Sequence, residues 1–63
     1  MSCQFRDPGS GDLCASEATR VLTVYFPERQ KQTVDLYCDE HAETMAAEYE
    51  GDPNRQLIAN TEA

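Results

Sequence analysis

The 63-residue chain contains no tryptophan, five other aromatics, one histidine and one lysine. Basic residues number 5 against 12 acidic, a formal charge of −7. Autonomous binding to a nucleic-acid backbone is therefore disfavoured, because it needs a basic face. No apolar run approaches the roughly 20 residues of a membrane-spanning helix; the longest, Val21–Phe26, is interrupted by Thr23. The start, Met1-Ser2-Cys3-Gln4-Phe5-Arg6-Asp7, has neither the basic onset nor the apolar run of a secretory signal, so a cytoplasmic location is expected. The length excludes a large enzyme with its own substrate cleft. A core of this size seldom contributes more than roughly 3–5 kcal/mol, and such domains commonly need a staple.

The cysteines offer one. There are three, Cys3, Cys14 and Cys38, and an odd count does not fit the even framework of a disulfide miniprotein. With His41, which follows Cys38 as a C-x-x-H pair, they complete a four-ligand set. Cys₃His is a common tetrahedral set for structural zinc. Two other readings stay open at this level. Cys3 and Cys14 could be small buried hydrophobes with His41 on a helix surface, or they could form a disulfide that leaves Cys38 free.

Between the first two cysteines lie ten residues, with turn formers at Pro8-Gly9 and Gly11 that allow the segment to fold back. It is not a phosphate loop, since no lysine follows the glycines, and it lacks the oxygen ligands of an EF-hand. Arg20–Phe26 is dense in β-branched and aromatic residues, and Gln32–Tyr37 alternates with period 2. The polar break Pro27–Lys31 between them makes a hairpin, with strands expected at 20–26 and 32–38. Pairing Val24 with Val34 would gather Leu22, Val24, Phe26, Val34 and Leu36 on one face, with Cys38 inward and opposite Arg20. The other face would carry Val21, Tyr25 and Tyr37, to be covered by Leu57 and Ile58 or by a partner. Ala42, Met45, Ala46 and Tyr49 share one helical face, so a helix is expected at 39–50, capped by Asp39 and stopped by Gly51 and Pro53. That helix has five acidic residues and no basic ones; docking must hold it. The expected organisation is a zinc-binding domain over 1–50 and a weakly docked C-terminal tail over 51–63.

Loop ligands, then a hairpin, then a helix whose first turn brings the last two ligands: this order resembles the treble-clef zinc finger. The resemblance covers about residues 3–50 and rests on Cys3, Cys14 and the Cys38-Asp39-Glu40-His41 step. It departs from that group in one respect, since the first two ligands there usually stand two residues apart. The resemblance implies a small α+β fold and one structural Zn²⁺ held by Cys3, Cys14, Cys38 and His41. It does not imply one function, because the fold serves several.

Four protein ligands leave no open position for catalysis, so no enzyme is expected. The leading expectation is a small acidic interaction module or regulator that binds protein, or a second copy of itself, through Val21, Tyr25 and Tyr37. The alternatives are a nucleic-acid-associated regulator using Arg6, Arg20, Arg29 and Lys31, and a thiol redox switch. The carboxylate-rich, lysine-poor composition is that expected in a high-salt, haloarchaeal cytoplasm, although a GC-rich genome also favours arginine over lysine.

Overall fold

The computed structural model describes residues 1–63. Strands β1 (Arg20–Phe26) and β2 (Lys31–Tyr37), helix α1 (Asp39–Glu50) and strand β3 (Gln56–Glu62) follow one another along the chain. They make a three-stranded antiparallel sheet in the order β2-β1-β3, with α1 on one face. Ahead of them, residues 2–17 fold back on themselves through the isolated bridges Ser2–Glu17 and Arg6–Leu13. The fold is a small α+β domain of treble-clef-like order with a third strand added.

The hairpin register differs from the expected one by a single residue. Val24 stands opposite Thr33, Leu22 opposite Asp35 and Phe26 opposite Lys31. The turn decides this. Pro27 opens it, Arg29 N–H donates to the Phe26 carbonyl at 3.2 Å, and Gln30 takes a left-handed conformation at φ 51°. The loop therefore closes over four residues rather than five, a length built around a type I turn. Left-handed backbone disfavours side chains other than glycine. Gln30→Gly should stabilise the protein by about 0.5–1 kcal/mol in a denaturant titration, after the added flexibility of the unfolded chain is deducted. Destabilisation would contradict this hairpin closure.

The register has a consequence for Tyr37. It lies opposite Arg20, on the same face as Leu22 and Val24, not beside Val21 and Tyr25. It is buried, and its hydroxyl lies 3.4 Å from that of Tyr49. The expectation that Tyr37 belongs to an uncovered face is thus corrected. Residues 56–62, expected within a weakly docked tail, are also ordered differently. They pair with β1, Leu22 opposite Asn60 and Val24 opposite Leu57, with an irregularity between Thr23 and Val24. Leu57 consequently packs against the helix-covered core and Ile58 is left exposed, so neither covers Val21 and Tyr25.

The core comprises Cys3, Leu22, Val24, Tyr37, Cys38, Ala42 and Tyr49. Ala42 and Tyr49 come from the expected helical face, with Met45 partly buried beside them. Tyr49 O–H donates to Asp35 at 3.3 Å, and the Arg55 guanidinium sits 4.8 Å from the Tyr49 ring centroid. Burial pushes both phenols above their ordinary value, and for Tyr49 the neighbouring Tyr37 and Asp35 push further. The folded state thus favours neutral phenols. Their contribution is complete below the ordinary phenol pKa of 10.0 and is lost as pH rises beyond it. Circular dichroism should show alkaline unfolding above that pH, with the midpoint moved upward in Tyr37→Phe. An unmoved midpoint would refute the assignment.

Candidate metal centre

Cys3 and Cys14 are set by the folded-back N-terminal segment. Cys3 N–H donates to the Ser16 carbonyl at 2.9 Å, and Cys14 N–H donates to the Phe5 carbonyl at 2.9 Å. The two cysteines are therefore diagonal neighbours across a short antiparallel pairing. The reversal between them is made by Asp7–Asp12. Asp7 accepts from the Gly9 amide through its side chain and from Gly11 through its carbonyl, and Gly11 has φ 77°. Arg6 donates from its guanidinium to the Gly11 carbonyl and ties the turn to its base. This is how ten intervening residues do the work of a tight knuckle.

The segment is also fixed to the sheet. Gln4 N–H donates to the Leu36 carbonyl at 2.7 Å, and the Leu36 amide donates to the Gln4 side chain at 3.0 Å. Gln4 thus occupies the outer edge of β2 and places Cys3 beside the end of that strand. Thr19 N–H likewise donates to the Tyr37 carbonyl at 2.9 Å.

Cys38 follows β2 as the N-cap residue of α1, with extended backbone and no capping hydrogen bond from its side chain. The expected role of Asp39 as cap is corrected: Asp39 is the first helical residue, and its carboxylate accepts from the Thr19 hydroxyl. Cys38 is also one residue past the position opposite Arg20, which Tyr37 occupies. His41 lies one turn into the helix, so the C-x-x-H spacing aims both side chains the same way.

All four donor atoms lie within 4.8 Å of one another. His41 Nδ1 is 3.6 Å from Cys3 Sγ and 3.4 Å from Cys38 Sγ. A tetrahedral zinc with sulfur at about 2.3 Å and nitrogen at about 2.0–2.1 Å requires S···N edges of about 3.5–3.6 Å. The two observed edges match that requirement. No donor separation exceeds a tetrahedral S···S edge of about 3.8 Å by more than about 1 Å, a small inward movement for the side chains. The residues fit a metal ion of zinc's size and ligand preference.

Cys3 is 1% exposed and Cys38 9% exposed. Cys14 is half-buried and opens onto a cleft of about 300 Å³ that Phe5, Leu13 and His41 also line. Hydrogen bonds from the Ser16 backbone and hydroxyl lower the Cys14 thiol to about 7, closer to the thiolate a metal needs. Cys38 behaves otherwise than the helix N-terminus alone would dictate. The His41 backbone amide pulls its pKa down, but burial and the Cys3 and Cys14 thiols together hold it above the ordinary value. A bound cation reverses that balance by ionising all three sulfurs.

Phe5 is a contributor that the sequence reading passes over. Its ring stacks on the imidazole, centroids 4.0 Å apart and planes 16° apart. The stack fixes the ring plane, and within that plane Nδ1 faces the Cys3 and Cys38 sulfurs while Nε2 is the outer nitrogen. Phe5 is one of only two large apolar residues between the first two cysteines, and that was the available signal. Ser16 and Gln4, which orient Cys14 and Cys3, gave none.

The largest cleft, about 550 Å³, lies elsewhere, beside Arg20, Asp39, Glu43 and Asn60 along α1. It holds no thiol or imidazole. No helix is long and apolar enough to cross a membrane. No family model matches the chain, and neither a curated protein nor a solved structure matches it at a significant level.

Proposed function

We propose that this protein is a non-enzymatic interaction module whose fold is held by one structural zinc ion and whose partner is protein. The convergence of Cys3, Cys14, Cys38 and His41 within 4.8 Å carries the reading. Three thiols and one imidazole are the donor set of structural zinc, and four protein donors fill its tetrahedron. A water or substrate would have no position on the ion, which supports a structural rather than a catalytic role.

The outer sheet face supports a protein partner. Thr23 stands opposite Val34 on one side and Ala59 on the other, and Val21 stands opposite Leu36. With Tyr25 these residues form a face free of charge, in a chain of which 27% is charged. Helix α1 covers the opposite face, and Val34 is 58% exposed. Uncharged, partly aromatic surface of this kind suits a protein interface. Of the original trio, Val21 and Tyr25 belong to this surface.

The nucleic-acid alternative has less support. Arg20 donates to the Asn60 side chain and carbonyl, Arg6 to the Gly11 carbonyl, and Arg55 to Asp52 at 2.7 Å. Only Arg29 and Lys31 stand apart from such pairings, too few for a phosphate-tracking stripe.

Val34→Lys puts a charge on the outer face, at an exposed position of the edge strand β2, where a surface substitution changes stability by no more than about 0.5 kcal/mol. Affinity capture from cell extract, with sedimentation of the purified protein alongside, should show the wild type binding a protein or itself. The variant should have lost that association. Equal recovery by both, or salt-dependent binding of DNA by the wild type, would contradict the proposal.

A further inference from the structure

We infer that the metal centre is also a peroxide-responsive switch, in which Cys14 is the sulfur attacked and Cys3 the sulfur that resolves it. The inference rests on the zinc reading given above and goes beyond it by assigning unequal roles to the three thiolates.

The inequality is geometric. Cys3 is 1% exposed and Cys38 is 9% exposed. Cys14 alone is half-buried, and it forms part of the wall of the cleft of about 300 Å³. That cleft is wide enough for a small oxidant, and Asp7, Ser10 and Asp12 give it a polar rim. Oxidation follows thiolate character and access. Metal binding makes all three sulfurs thiolates, so access is what separates them.

The resolving partner follows from what can move. Both other sulfurs lie within 4.8 Å of Cys14, and a disulfide needs about 2.05 Å. Cys38 is held as the N-cap of α1, at a strand end pinned by Thr19 N–H to the Tyr37 carbonyl. Cys3 and Cys14 both lie in the N-terminal segment outside the regular elements, diagonal across its pairing. Cys3 is itself held beside β2 through the Gln4–Leu36 hydrogen bonds, so the Cys14 arm is what moves, and the backbone pairing it shares with Cys3 carries it towards that sulfur rather than towards Cys38 on a separate element.

The chemistry balances with hydrogen peroxide as oxidant. The Cys14 sulfur attacks one peroxide oxygen, the O–O bond breaks, and sulfenic acid and hydroxide result. The Cys3 thiolate then attacks the Cys14 sulfur, the S–O bond breaks, and a second hydroxide leaves. Two thiolates have lost two electrons and the peroxide has gained them. Cys38 and His41 remain, two donors of the four that zinc requires, and the ion leaves.

The test uses the metal-loaded wild-type protein, so no variant has to fold. Metal content is measured first, and the protein is then treated with a small excess of hydrogen peroxide. Released metal is read with a chromogenic chelator and the linkage by tryptic mapping. Cleavage after Arg6, Arg20, Lys31 and Arg55 puts Cys3, Cys14 and Cys38 in three separate peptides. The expected product joins residues 1–6 to 7–20, one metal ion leaves per link formed, and dithiothreitol with added zinc reverses both. A link from 7–20 to 32–55, metal release without a link, or oxidation of Met45 ahead of any thiol would overturn the inference. A sample that holds no metal before oxidant overturns the zinc reading as well, whereas a loaded sample that forms no 3–14 link overturns this inference alone.

Discussion

Stripping the metal with a strong chelator is expected to unfold the protein. The expected observation is collapse of amide and methyl dispersion in NMR spectra, reversed when one equivalent of zinc is returned. The reason is the size of the core. Two of its seven residues are Cys3 and Cys38, so under the proposed zinc reading part of the interior is the ligand set itself. A core of this scale supplies roughly 3–5 kcal/mol at most. Structural zinc in small finger peptides supplies apparent binding energy on the order of 10–16 kcal/mol near neutral pH. Nothing else in the chain offers a comparable term. Helix α1 carries acidic residues in its first turn and no basic residue in its last, so it gains nothing from the dipole at its C-terminal end. The single salt bridge, Arg55 to Asp52, spans three residues at the surface and is of the kind worth little. Unchanged dispersion in the metal-free protein would show that the sheet and helix stand alone.

Cys38→Ser is expected to cause metal loss and unfolding, and its value lies in the sign of the effect. Cys38 is the N-cap of α1 and makes no capping hydrogen bond with its side chain. Serine is among the preferred N-cap residues, and a good cap is worth about 0.5–2 kcal/mol. Considered as a helix alone, the substitution should stabilise. Considered as a ligand site, it replaces a thiolate by a hydroxyl that does not ionise at neutral pH, and removes one donor of four. The loss is a large part of the zinc contribution and exceeds the capping gain several-fold. Thermal unfolding of the variant therefore separates the two roles cleanly. A lower melting temperature with substoichiometric metal supports a ligand; a higher melting temperature would mean that Cys38 is only a cap.

Much of this architecture was legible in the residues, for identifiable reasons. The helix over 39–50 rests on apolar side chains at 42, 45, 46 and 49 and on Gly51, signals internal to the segment. The convergence of Cys3, Cys14, Cys38 and His41 was open to counting, since three thiols and one imidazole have few other uses together in so short a chain. What escaped was set by relations between distant segments. The hairpin register depended on Gln30 entering a left-handed conformation, which a glutamine does not advertise. One residue of slip moved Tyr37 from the outer face to the core. Strand β3 escaped because Leu57 and Ile58 are adjacent rather than alternating. The irregularity beside Val24 lets Leu57 enter the core while Ile58 points away, and no periodicity marks such a strand. Its place was decided by the free edge of β1. The backbone pairing that brings Cys3 to Cys14 was invisible for the same reason, although the Pro8, Gly9 and Gly11 turn signal pointed to a reversal.

Of all measurements, X-ray absorption at the zinc edge, on protein loaded with one equivalent, tests the four-ligand centre most directly. The account predicts three sulfurs at about 2.3 Å and one nitrogen at about 2.0–2.1 Å, with no oxygen in the shell. A shell with two or fewer sulfurs, or one completed by water oxygen, would contradict it.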